Sequence, residues 1–395
     1  MATERPARTR RRAAAFWNDA RVRAVFAQLL VLALVVAGGA YLIRNTLLNL
    51  ERLGVSTGFG FLWTTAGFDI SQALVPYDRT YSYARAFLVG LLNTFYVSIV
   101  SIVLATILGF VVGIARLSSN WLVAKVAAAY IEIVRNVPLL LQLIVWYFVV
   151  LGGLPAPRRS LVLGEGVYLN VRGLFVPKPL FEPGFGYTAL AFLLAVAAVV
   201  VLARWARRRF EATGQPFPTF RVGLAILLLV PAAVFLATGR PLAFEYPELG
   251  KFRVSGGLVL LPEFLAMVAG LSVYTASFIA EIVRAGIESV SRGQWEAAWS
   301  LGLTRGQTLR LIVVPQALRV IIPPQTSQYL NLTKNSSLGV AIGYPDFFNV
   351  AGTINNQTGQ AVEVIAITMA VYLSLSLVIS AFMNWYNRRM ALVER

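Results

Sequence analysis

The sequence predicts an all-α integral membrane protein with about eight transmembrane helices. Three observations point there. Of 395 residues, 57% are hydrophobic and 13% charged, whereas soluble domains carry about 25% charged residues. The apolar residues gather in runs near the ~20 residues that span a bilayer. Lys and Arg gather in alternate connections between those runs, as in proteins oriented by cytoplasmic positive charge.

Residues 1–24 form a basic head with Arg5, Arg8, Arg10, Arg11, Arg12, Arg21 and Arg23. The apolar run 25–43 is long for a signal-peptide core and lacks a clean small-residue cleavage site, so a retained helix is expected. Residues 44–85 read as an external loop and the uncharged run 86–115 as the second span. The third, 126–153, is interrupted by Glu132, Arg135 and Pro138. A Pro/Gly-rich external loop, 154–183, leads to spans at 184–203 and 222–239 around an internal loop, 204–221, that holds Arg207, Arg208 and Arg209. Residues 240–253 are external. The sixth span begins near 258, and its helix continues past Glu281 into an internal segment, 290–310. Spans at 318–340 and 364–385 flank an external segment, 343–363. The chain thus divides into the head 1–24, a first helix and external loop 25–85, a transmembrane domain 86–386 with an inserted two-helix segment at 184–239, and a cytoplasmic tail 387–395.

The charges fit this layout. Of the 35 Lys and Arg residues, about 22 fall inside and about 12 outside, which places both termini in the cytoplasm. The net charge of +17 therefore reflects topology, and no aromatic–basic platform or fold motif suggests nucleic-acid binding. The chain has no Cys and no His, which removes disulfides, thiol nucleophiles, imidazole bases and the usual zinc and iron–sulfur sites. No G-x-x-x-x-G-K-[ST] phosphate loop is present. No catalytic residue, metal site or cofactor of the chain's own is expected.

The internal segment reads Gly293-Gln294-Trp295-Glu296-Ala297-Ala298-Trp299-Ser300-Leu301-Gly302 and continues to Ile312 and Pro315. Residues 289–301 suit a helix. Gly302 can end it and let a second short helix begin at Thr304. Two small helices joined at a glycine make a compact knob in which Glu296 can meet a partner's cation and Ala297 and Ala298 permit close approach.

Glu296, Ala297, Ala298, Gly302, Ile312 and Pro315 resemble the E-A-A-x-x-x-G element of permease subunits of binding-protein-dependent ABC importers. Asn93-Thr94, the run from Tyr130 to Pro138 with Gln142, and the run from Tyr274 to Ile287 with Gly293-Gln294 resemble the polar amino-acid uptake subfamily of histidine, glutamine and glutamate type. The likeness covers roughly 91–385 apart from the insertion, and the enlarged form resembles the general L-amino-acid ABC systems. It implies a type I importer fold in the bacterial inner membrane. The coupling loop would hold Gly293, Gln294, Glu296, Ala297, Ala298, Gly302 and Pro315. The implied partners are ABC ATPase subunits that hydrolyse the ATP, a second permease subunit in a heterodimer, a periplasmic substrate-binding protein, membrane lipid and an L-amino acid.

Charges within the spans narrow the pathway. Glu132 and Arg135, at i and i+3, can pair, and an unpaired charge in the bilayer costs at least about 2.5–3.5 kcal/mol. They are either an ion pair that fixes helices around the gate or contacts for substrate carboxylate and ammonium. The four-residue string Glu132–Arg135 recurs at Glu281–Arg284, near the cytoplasmic end of the sixth span, where a structural role at the base of the knob is expected. Span seven carries Pro323, Pro324, Gln325, Gln328, Asn331, Lys334, Asn335 and Ser336. The prolines argue against a continuous helix, and so many polar groups argue for a pathway lining. Candidate pathway residues are Glu132, Arg135, Gln142, Gln325, Gln328, Asn331, Lys334, Asn335 and Ser336. For each, hydrogen bonding to a neighbouring helix is the competing role. A secondary amino-acid transporter is the rival reading; it calls for inverted repeats and mid-membrane carboxylates, neither of which is evident. A membrane enzyme would lack catalytic groups.

Overall fold

The computed structural model describes residues 20–52, 58–251 and 253–390. Most of the basic head and the end of the tail lie outside these. The described residues are mostly helical and fall into two packing units, 1–92 with 347–378 and 93–346 with 379–395.

In the first unit, helix α1 (Ala20–Arg52) is apolar and carries its span, Val22–Thr46, with none of its best window buried. The rest of the unit gathers a short 3₁₀ turn (Phe59–Trp63), the start of α2 (Tyr83–Arg116), α11 (Phe347–Thr358) and much of α12 (Ala361–Met390). Their core joins Phe61, Tyr83, Phe87, Phe347, Val350, Ile354 and Val364. Buried Glu363 accepts the Gly58 amide at 2.6 Å, and Tyr83 donates to Gln357 at 3.1 Å.

The second unit is built around α7 (Pro262–Glu288), whose best apolar window is 61% buried. Without a hydrophobic force between helices in lipid, such packing depends on small residues that let backbones approach. Gly109 and Gly113 of α2 do this: a Cβ on Gly113 would stand 2.7 Å from the Ala280 carbonyl oxygen, and one on Gly109 2.6 Å from the Ile279 Cβ. Gly286 plays the same part against α10 (Val314–Asn335), where a Cβ would lie 2.3 Å from Ile321 Cγ1.

The third span is two helices, α3 (Trp121–Asn136) and α4 (Leu139–Ile144), the latter extended by a π-helical stretch (Val145–Leu151). The axis bends by 104° between them. Val137-Pro138 explains the break, because the residue before a proline avoids the helical region and Pro138 has no amide to donate. Asn120 caps α3 by accepting from the Leu122 and Val123 amides at 3.0 and 3.2 Å.

The segments expected as loops around the insertion form short strands. Strands β1 (Leu161–Gly164), β2 (Val167–Asn170) and β3 (Gly173–Val176) form an antiparallel meander, and β8 (Leu258–Leu260) returns to pair with β3. Strand β4 (Lys178–Phe181) pairs with β5 (Leu242–Glu245), and β6 (Glu248–Leu249) with β7 (Val254–Ser255). Between β4 and β5 stand α5 (Phe185–Thr213) and α6 (Thr219–Ala237), the inserted helical hairpin.

Among the described residues, six helices are long and apolar enough to cross a membrane, or seven if the bent pair counts as one span. Of the eight expected spans, α10 is the one whose polarity keeps it below that measure. Its two prolines do not break it: α10 is continuous through Pro323 and Pro324. The interrupted helix expected from the two prolines does not occur. A proline in a packed membrane helix costs a hydrogen bond that neighbouring groups can restore.

Candidate functional site: the helical knob and the polar helix

Beyond α7 the chain forms α8 (Arg292–Ser300), turns at Gly302, and forms α9 (Arg305–Thr308) and a π-helical turn (Leu309–Val313) that runs into α10. The turn is a Schellman motif. The Leu303 amide donates to the Ala298 carbonyl at 3.1 Å and the Gly302 amide to that of Trp299 at 2.9 Å. This closure requires a left-handed residue, and Gly302 supplies it with φ +74°. Thr304 and Gln307 then close a capping box on α9, with the Thr304 amide donating to Gln307 Oε1 at 2.9 Å.

Ala298 is fully buried, so it seats the knob on its own chain; it does not offer the close approach to a partner that the sequence suggests. Glu296, Ala297, Leu301 and Gly302 are exposed, as are Gly293 and Gln294. Trp295 packs against the core of the unit and lies 6.2 Å, ring to ring, from exposed Trp299. Gln316, beside Pro315 at the start of α10, donates to Gln294 Oε1 at 3.3 Å. The knob is thus tied to α10 by that bond and by the continuous π-helical turn, a distortion often found at functional sites. On α7, Arg284 Nε donates to both oxygens of Glu281, at 3.1 and 3.2 Å, and Nη1 reaches Glu288. The sequence suggests the first partner; the second follows from the i, i+4 spacing to Glu288.

Helix α10 has two faces. Ile321, Ile322, Gln325, Leu332 and Thr333 are buried. Pro324, Ser327, Asn331 and Lys334, at helical spacing, are exposed, with Gln328 and Asn335 half-buried beside them. The candidate pathway residues therefore separate. Gln325 accepts from Tyr329 at 3.3 Å, Tyr329 in turn meets Thr106 at 3.0 Å, and Ser336 is buried and donates to the Thr333 carbonyl at 2.9 Å. Gln328, Asn331, Lys334 and Asn335 form the open polar stripe.

The α3 candidates behave differently again. Glu132 and Arg135 form no ion pair with each other; both are exposed, and the Arg135 guanidinium lies 5.0 Å from the Phe278 ring centroid. An i, i+3 pair is worth about 0.2–0.5 kcal/mol, no more than an exposed cation–π contact at about 0.5–1 kcal/mol. Gln142 donates from Nε2 to the Val134 and Val137 carbonyls, both at 2.9 Å, satisfying groups left open where α3 ends. It staples the bend.

Sequence reasoning missed a buried polar seam on α2, formed by Asn93, Thr94, Ser98 and Ser101. Asn93 Nδ2 donates to the Pro345 carbonyl and Tyr344 to the Asn93 carbonyl, both at 2.9 Å. The i, i+4, i+7 spacing of Thr94, Ser98 and Ser101 was the available signal. Among the described residues no cluster of acidic side chains could hold a metal ion.

A family model described as binding-protein-dependent transport system inner membrane component matches residues 209–392. The chain is 51% identical to the general L-amino acid transport system permease protein AapQ of Rhizobium johnstonii, over 95% of this chain and 94% of that protein. It is 49% identical to the putative amino-acid ABC transporter permease protein YhdX of Escherichia coli, over 95% of each. It is 40% identical to the glutamate/glutamine/aspartate/asparagine transport system permease protein BztB of Rhodobacter capsulatus, over 95% of this chain and 96% of that protein.

Proposed function

Since the chain belongs to the binding-protein-dependent transport system inner membrane components, we propose that it is the permease subunit that carries L-amino acids inward, driven through its knob by a separate ATPase. The relatives' names supply the substrate class. The observation that carries the coupling is the Gly302 turn, which holds Glu296, Ala297 and Leu301 outward on a knob seated by Ala298.

The mechanism follows from the connections. The ATPase subunits bind and hydrolyse ATP, and this chain receives the motion. A cation in the ATPase groove pairs with Glu296, which is exposed and whose carboxylate makes no hydrogen bond or ion pair among the described residues. Displacement of the knob passes through the Gln294–Gln316 bond and the π-helical turn into α10. Rotation of α10 turns its polar stripe between the two sides of the membrane. Along that stripe Lys334, Asn331 and Gln328 can donate to a carboxylate, and the amide oxygens of Gln328, Asn331 and Asn335 can accept from an ammonium. A second permease chain, in a heterodimer, closes the other half of the pathway. A periplasmic binding protein delivers the amino acid, and both termini are cytoplasmic.

The test is stimulated ATP hydrolysis and uptake by the reconstituted transporter. Glu296→Arg is expected to abolish binding-protein-stimulated hydrolysis while the chain still reaches the membrane; normal stimulation sinks the coupling assignment. Asn331→Leu with Lys334→Met is expected to lower uptake at least about tenfold, if each lost charge-assisted hydrogen bond is worth about 1.5–3 kcal/mol. Unchanged uptake kinetics return the stripe to a structural role.

A further inference from the structure

The inserted hairpin ends in a positive tip that the transport mechanism leaves unused. Helices α5 and α6 pack on each other, and only 11% and 6% of their best apolar windows are buried. Flanks so apolar and so open suit lipid, and helices that cross with those flanks in lipid would bring the turn between them to headgroup depth. That turn and its approaches carry Arg204, Arg207, Arg208, Arg209 and Arg221 against a single acid, Glu211.

Two of these arginines are occupied. Arg207 pairs with Glu211 at 3.1 Å. Arg209 lies 5.5 Å from the Trp205 ring centroid and donates to Gln215 at 3.4 Å. Arg204, Arg208 and Arg221 are exposed and have no partner among the described residues. Arg221 stands in the first turn of α6, which has no acidic residue there and no side-chain cap. A cation is disfavoured there, since the open amides already give the helix end positive character. Arg204 and Arg208 share a face of α5 one turn apart. The turn itself is held by Trp205 on Phe217, ring to ring at 5.2 Å, while Phe210 and Phe220 stay exposed, Phe220 by 81%. Trp205, itself partly exposed beside these cations at the end of an apolar helix, matches the membrane interface.

We propose that the α5–α6 tip binds the phosphate of an anionic phospholipid, with Arg204, Arg208 and Arg221 as its cations and Phe210 and Phe220 against the upper acyl chain. The transport reading enters only in naming the cytoplasmic leaflet as the source of the lipid. The headgroup supplies the negative charge that this helix end lacks, and a bilayer anion near each arginine strengthens binding about fivefold.

The experiment uses the complete transporter in detergent, titrated with phosphatidylglycerol or phosphatidylcholine and read by native mass spectrometry. The wild type is expected to retain phosphatidylglycerol in preference. Arg204→Gln/Arg208→Gln/Arg221→Gln should weaken that retention at least about tenfold and leave phosphatidylcholine unchanged, and the triple Lys variant should keep most of it. Equal phosphatidylglycerol retention by wild type and the Gln variant overturns the proposal. So does release of the ATPase subunits by the Gln variant with lipid retention intact, which would make the tip a protein-docking surface. Retention is read without transport, so an error in the transport reading leaves this result standing.

Discussion

Helix α7 and the hairpin α5–α6 are all long enough to cross a bilayer, yet they are solvated in opposite ways. The best window of α7 has a mean hydropathy of 1.7 and is 61% buried; those of α5 and α6 reach 2.5 and 2.4 and are 11% and 6% buried. The more apolar helices are the less buried ones. In water that would be inverted, but in a membrane the most apolar surface belongs against lipid. Helix–helix contact is made instead by small and hydroxyl-bearing residues, such as Gly270, Ser272, Thr275, Ser277 and Gly286 on α7. A span's modest hydropathy thus marks it as the one that other spans surround.

The sharpest way to break this contrast is a matched pair of glycines. Gly286→Leu puts a side chain where even a Cβ lies 2.3 Å from Ile321; overpacking typically costs 1–3 kcal/mol or more, so we expect loss of the assembled transporter from detergent extracts. Gly186→Leu on α5, with nothing within 4 Å of its Cβ, should leave assembly unchanged. Gln142→Leu comes next. It strips the Val134 and Val137 carbonyls of their donor, expected to cost about 1–3 kcal/mol and to lower the unfolding temperature of the purified complex. Gly302→Ala has open space but a left-handed backbone; a penalty of about 1–2 kcal/mol should show as weaker ATPase coupling with little change in assembly. Leu193→Ala on α5, 64% exposed, should be the smallest effect, within about 0.5 kcal/mol. A large loss there would place protein, not lipid, against that face.

The spans were legible because a run of apolar residues has few other uses, and the knob because Gly302 and Thr304 carry specific backbone chemistry. The strands escaped notice. Each is two to four residues long, too short for alternation to register, and β8 meets β3 only because a hairpin of helices brings the chain back. Of the two readings of Glu132 and Arg135, the ion pair rested on spacing alone and does not form, since Phe278, far away in sequence, competes for the arginine. The same limit hid the partners of Gln142: only the bend shows that its amide serves the Val134 and Val137 carbonyls. On α10 the polar residues were visible, but their division between a buried face and an open stripe required the packing of Ile321 and Leu332.

The pairing of β3 with β8 has a topological consequence. Two strands joined by ladder hydrogen bonds, Leu174 to Leu260 and Val176 to Leu258, must lie on the same side of the bilayer. The 81 residues between Val176 and Leu258 therefore cross the membrane an even number of times, whatever helices they contain. Parity is conserved across the insertion. The hairpin can lengthen, or be excised at β4 and β5, without inverting α7 or moving the knob to the opposite compartment.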